Sequence, residues 1–119
     1  MNRCTRCILR GKLAMTLNEY QALAQRTSRS DVNRVLNGCM GMCGEAGECI
    51  DILKKHMMQG HELPREKLLE ELGDVMWYVC ETASGLGASL DEVAAGNIHK
   101  LTGRYPDGFD ADRSVNRHE

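Results

Sequence analysis

Residues 32–58, VNRVLNGCMGMCGEAGECIDILKKHMM, decide the fold. Val32, Val35, Leu36, Cys39, Met40, Cys43, Ala46, Ile50, Leu53 and Met57 recur mainly at steps of three and four, the period of an α-helix. The spacing predicts one long helix from about residue 32 to residue 58. Gly38, Gly41, Gly44 and Gly47 oppose it, since each glycine costs a helix up to ~1 kcal/mol. A glycine every three residues is then expected to mark close packing against another helix.

Working outward, Leu17, Tyr20, Leu23 and Ala24 give a shorter amphipathic helix over about 17–28, ending in Thr27-Ser28-Arg29-Ser30. Ser30 or Asp31 can cap the long helix. Downstream, residues 59–64 form a turn, with Gly60 behind one helix and Pro64 at the start of the next. A third helix, about 65–85, carries Leu68, Leu69, Leu72, Val75, Met76, Val79 and Ala83, and Gly85-Leu86-Gly87 closes it. Ser89, three residues before Glu92, reads as a capping box opening a fourth helix to about Thr102. From Gly103 the chain is turn-rich and without periodicity. No alternating strand pattern occurs, so the expected fold is all-α.

The 119 residues suit one domain, with residues 15–119 as its body. One Phe, one Trp and three Tyr leave the core to aliphatic side chains, Met and Cys. No apolar run approaches the ~18–20 residues that span a bilayer, and no secretory signal opens the chain, so a cytoplasmic protein without membrane contact is expected. The formal charge of −2 hides an asymmetry. Arg3, Arg6, Arg10 and Lys12 make residues 1–14 a basic leader, while residues 15–119 hold 11 basic and 17 acidic side chains, a net of −6. That acidic body argues against generic nucleic-acid binding. Cys4-x-x-Cys7, with Cys39 and Cys43 one helical turn apart, permits a zinc reading. The default is reduced thiols, with Cys39, Cys43 and Cys80 buried as small hydrophobes.

Chemistry enters with two acidic pairs, Glu45-Ala46-Gly47-Glu48 and Glu71-Leu72-Gly73-Asp74. Residues three apart share a helix face, and both pairs lie beside the apolar stripes. If those stripes pack together, four carboxylates converge where mutual repulsion and lost hydration call for a cation. Oxygen donors without His or Cys select magnesium or manganese over zinc, and such sites usually share the metal with a phosphate-bearing ligand. Asp51 can extend the acidic face. Lys55, Asn97, Lys100 and Arg104 offer a rim for anionic oxygens, and Tyr78 can stack on a base or sugar. No Ser or Cys stands beside a general base, so the expected nucleophile is a metal-activated water. Taken singly, each acidic pair is more often solvated surface.

Gly44-Glu45-Ala46-Gly47-Glu48, Lys54-Lys55-His56, Gly60-His61, Glu70-Glu71-Leu72-Gly73-Asp74-Val75 with Trp77-Tyr78, and Asn97-Ile98-His99-Lys100-Leu101 through Arg104-Tyr105-Pro106-Asp107-Gly108-Phe109 form an ordered series. This series, from about Leu17 to Arg117, resembles the MazG-like nucleoside triphosphate pyrophosphohydrolases. The resemblance implies an all-α fold whose subunits pair into a four-helix-bundle-like core, as homodimers or homotetramers. It implies magnesium-dependent cleavage of a nucleoside triphosphate between the α and β phosphorus atoms. Glu45, Glu48, Glu71 and Asp74 match the metal ligands, with Glu48 or Asp74 orienting or deprotonating the water. Asn97, Lys100, Arg104 and Tyr105 match the phosphate-side motif. The leader and Cys39-Met40-Gly41-Met42-Cys43 depart from the family's pattern. Alternatives are a narrower dCTP- or dUTP-type pyrophosphatase, or a catalytically silent helical module for metal binding or dimerisation.

Overall fold

The long helix begins on Asn33, whose side chain accepts the Leu36 N–H at 3.0 Å, and not on Ser30 or Asp31. All three residue types cap well, and the Asp31 carboxylate instead pairs with Arg29. A computed structural model describes residues 14–117. The basic leader therefore lies outside the described residues except for Ala14, and Cys4 and Cys7 with it. Five helices follow in order: α1 Leu17–Ala24 with a 3-10 turn Gln25–Thr27, α2 Arg34–Gln59, α3 Arg65–Gly85, α4 Leu90–Arg104 and α5 Ala111–Val115. The described residues contain no strand, and the fold is all-α. No helix among them is long and apolar enough to cross a membrane.

Two features differ from expectation, while Gly60 falls behind the long helix where the sequence places it. A reciprocal capping box sits at Thr16 and Glu19, opening α1, whereas Ser89 only accepts from the Glu92 N–H. Gly60 ends α2 at φ 71°, a left-handed conformation that a side chain would strain. The tail holds α5, capped by Asp110 through the Arg113 N–H at 3.0 Å. A helix of 5 residues is too short to show a period in sequence.

The antiparallel pair α2–α3 is the main packing unit. A Cβ on Gly38 would fall 2.8 Å from the Thr82 backbone nitrogen, and one on Gly41 would enter the Tyr78 ring. These two glycines let the backbones touch, as their spacing predicts. Gly44 and Gly47 do not: nothing lies within 4 Å of a Cβ built on either. These two positions of α2 are open in the single chain.

A buried nucleus of Cys80, Ala83 and Leu90 joins α3 to α4, with Tyr20 and Ala24 of α1 packed on it. Gln21 stitches these elements together. Its amide donates to Ser84 Oγ and to the Ala88 carbonyl, both at 2.9 Å, and its oxygen accepts the Leu90 N–H at 2.8 Å. Glu81 is fully buried. Ser28 and Arg34 donate to one of its oxygens and Gln25 to the other, so the dehydrated carboxylate is paired and hydrogen-bonded. Cys80 is buried as expected, but Cys39 and Cys43 are exposed. So are Leu36, Met40, Ile50, Met57, Met58 and Ile98, an unusual load of apolar surface for a single chain.

Candidate active site

The contact of Gly38 and Gly41 with α3 also sets the next turn of the pair, where Glu45 of α2 meets Glu71 and Asp74 of α3. One carboxylate oxygen from each lies within 4.8 Å of the others. Glu71 is buried, Glu45 half-buried and Asp74 exposed, so the group opens to solvent on one side. Burial raises the Glu45 pKa above the ordinary carboxylate value, and the charges of Asp74, Glu71 and Glu48 push it the same way. Three carboxylates gathered this closely, offering only oxygen, suit a hard divalent cation. Opposite oxygens around an octahedral magnesium stand ~4.2 Å apart, close enough that small side-chain rotations close the group on an ion.

Glu48 is exposed and stands outside this group. The seam of α2 runs Gly38, Gly41, Glu45 and then takes a step of four to half-buried Cys49, leaving Glu48 on its solvent edge. Its charge is still felt by Glu45. Lys55 and Lys54 both bind Asp51, at 2.6 and 2.8 Å, and these ammonium groups hold the Asp51 carboxyl down at about 2. Asp51 and Lys55 thus form a separate ion cluster down the helix.

A cleft of about 340 Å³ lies beside the acids, lined by Glu45, Asp74, Trp77 and Tyr78. Asn97, Lys100, Arg104 and Tyr105 do not line it. Asn97 faces an apolar cleft of about 210 Å³ with Leu17, Met76, Val79, Leu90, Val93 and Ala94. Lys100 is exposed, Tyr105 tilts against Phe109 with 5.6 Å between ring centroids, and the Arg104 carbonyl accepts from Arg113. Within one chain, Asn97 therefore lines a different cleft from the acids.

Lys67 is a residue of the site that the sequence does not single out, and Trp77 enters the sequence analysis only beside Tyr78 in the motif series. Lys67 donates to Glu71 at 2.8 Å and lies 3.6 Å from Glu70. The i,i+4 spacing of Lys67 and Glu71 was the available signal, an ordinary one on helix surfaces. Trp77 donates its indole N–H to Thr27 Oγ1 at 2.9 Å and to the Ala24 carbonyl at 3.2 Å. No sequence signal separates such an anchored indole from a core tryptophan.

Comparison with known proteins agrees with this architecture. Residues 37–109 match the family model described as the MazG nucleotide pyrophosphohydrolase domain, and the chain belongs to that family. The matched segment spans the three clustered acids, the aromatic pair and all of α4. Over 73 residues the chain is 40% identical to the Gene 37 protein of Mycobacterium phage L5, covering 58% of this chain and 64% of that protein. The chain therefore spans under two thirds of that relative's length. No solved structure matches it.

Proposed function

We propose that residues 15–119 form a magnesium-dependent nucleoside triphosphate pyrophosphohydrolase domain that cleaves the bond between the α and β phosphorus atoms, releasing a nucleoside monophosphate and pyrophosphate. The convergence of Glu45, Glu71 and Asp74 from two antiparallel helices carries the reading. These residues would hold the cation, with Glu48 swinging in from the adjacent turn. The ion, magnesium or in its place manganese, would offset charge on the polyphosphate and acidify the attacking water. Glu48 or Asp74 accepts that water's proton on a carboxylate oxygen. Lys67 fixes Glu71, and the Trp77–Tyr78 wall excludes water from one flank of the cleft.

Self-association into a homodimer or homotetramer belongs to the same proposal. It covers the exposed Leu36, Met40 and Ile50 surface and brings Asn97, Lys100, Arg104 and Tyr105 of a second copy to the phosphates. Residues 1–14 act as an appended basic leader, and the enzyme works in the cytoplasm, clearing non-standard or surplus nucleotides. The substrate range narrows to dCTP or dUTP if the cleft admits only a pyrimidine.

The test is pyrophosphate release from a panel of nucleoside triphosphates with magnesium, with and without excess chelator. Metal-dependent release from at least one nucleotide is the expected result. A second reading, a catalytically silent helical module, draws on the position of Glu48 outside the acidic group. Turnover of no nucleotide by a folded oligomer would favour it.

A further inference from the structure

The cleft beside the acids has two unlike walls. Glu45 and Asp74 form one and suit the phosphate end of a substrate, while Trp77 and Tyr78 form the other. The two rings meet edge to face, with centroids 5.1 Å apart and planes at 84°. They are differently engaged. Tyr78 packs against the bare backbone of α2, since a Cβ on Gly41 would enter its ring. The Trp77 N–H is anchored to Thr27 and Ala24, and the half-buried indole lines the cleft. A large aromatic surface held by two hydrogen bonds loses little entropy when a flat ligand stacks on it.

We propose that Trp77 is the platform on which the nucleobase stacks, and so the specificity-determining residue of this site. The inference rests on the pyrophosphohydrolase reading, because it needs a nucleotide whose phosphates face Glu45 and Asp74. A base lying flat on the indole meets the Tyr78 ring at a right angle, which sets the depth of entry. The anchoring bonds tie this platform to the end of α1, so the segment 24–27 positions a specificity residue without touching the ligand.

Trp77 is the sole tryptophan of the chain, so its fluorescence reports the platform directly. The full-length protein with magnesium is titrated with α,β-methylene analogues of dUTP, dCTP, dATP and dGTP, and separately with inorganic tripolyphosphate, which has the charge but no base. Binding is followed in parallel by calorimetry. At least one analogue is expected to quench the emission several-fold more than tripolyphosphate at equal saturation. Trp77→Leu is expected to weaken binding of that analogue by about tenfold or more, Trp77→Phe by less, with tripolyphosphate affinity unchanged in both. Thr27→Val, which removes one anchor and keeps the ring, retains the quenching. Equal quenching by nucleotide and tripolyphosphate at measured saturation would overturn the platform and leave the enzyme reading intact. Equal weakening of both ligands in Trp77→Leu would assign the indole a purely structural role. Calorimetric silence from every ligand would overturn the pyrophosphohydrolase reading itself, and the platform with it.

Discussion

Lys67 and Glu71 stand one turn apart on α3, joined at 2.8 Å, and the carboxylate they share with the acidic group is 8% exposed while the ammonium is half in solvent. The lysine is thus the resident counter-charge of an otherwise anionic corner. Its own pKa is raised, first by the hydrogen bond to Glu71 and then by the charge of Glu70.

Replacing Lys67 with Met leaves a buried carboxylate beside Glu45 and Asp74 without its cation. The metal-free variant is expected to melt several degrees below the parent, and magnesium is expected to restore more of the loss than it adds to the parent. Scanning calorimetry with chelator and with magnesium measures both. An unchanged metal-free midpoint would show that the pair contributes nothing to the fold.

Glu45→Gln is expected to separate stability from activity. The raised carboxyl pKa means that the folded chain binds this proton more tightly than the unfolded chain. Folding is therefore favoured below the ordinary carboxylate value of 4.5 and loses that support as pH rises through the folded value. At neutral pH the glutamate opposes folding, and the amide removes the opposition. The chelated variant should melt above the chelated parent, while pyrophosphate release falls by about 100-fold or more. A variant that melts lower would contradict the crowding of charge at this corner.

The Asp51 cluster behaves in the opposite sense. With its carboxyl held at about 2 in the folded chain, its pairing supports folding above the ordinary value of 3.8 and is lost as pH falls from there toward 2. In Asp51→Asn the difference in urea midpoint from the parent should be present at neutral pH and vanish in that acid window. Turnover at neutral pH should stay within about twofold, because Asp51 and Lys55 neutralise each other away from the cleft.

Gly41→Ala drives a methyl into the Tyr78 ring and is expected to cost ~1–3 kcal/mol through overpacking. Gly47→Ala meets nothing within 4 Å and gains helix propensity, so it is expected to stabilise the isolated subunit by up to ~1 kcal/mol. Urea unfolding of the two variants, read beside their oligomeric state, tests the contrast. Loss of self-association in Gly47→Ala would place a second copy against that open stretch.

The helices were legible because their apolar periods are strong, and Glu45, Glu71 and Asp74 because they flank those stripes. The remainder depended on distances that a one-dimensional pattern lacks. Four glycines at equal spacing look alike in sequence, yet only Gly38 and Gly41 touch α3, since the seam drifts around α2 by a fraction of a turn with each step. The same drift moves Glu48 off the seam, and it turns Cys39 and Cys43 outward. Asn33 could not be told from Ser30 and Asp31 without knowing that Arg29 occupies the aspartate. Asn97, Lys100, Arg104 and Tyr105 share a helix and its exit turn, but a motif's order along the chain says nothing of the side on which that helix docks.

The bare backbones at Gly38 and Gly41 give α2 and α3 their separation, and the acids one turn further on inherit it. On the proposed function, these two missing methyl groups would act as a calliper on ionic radius. A larger residue at either position would widen the spacing of the acids and, in the proposed enzyme, favour calcium over magnesium, since calcium's longer bonds to oxygen suit a wider grip.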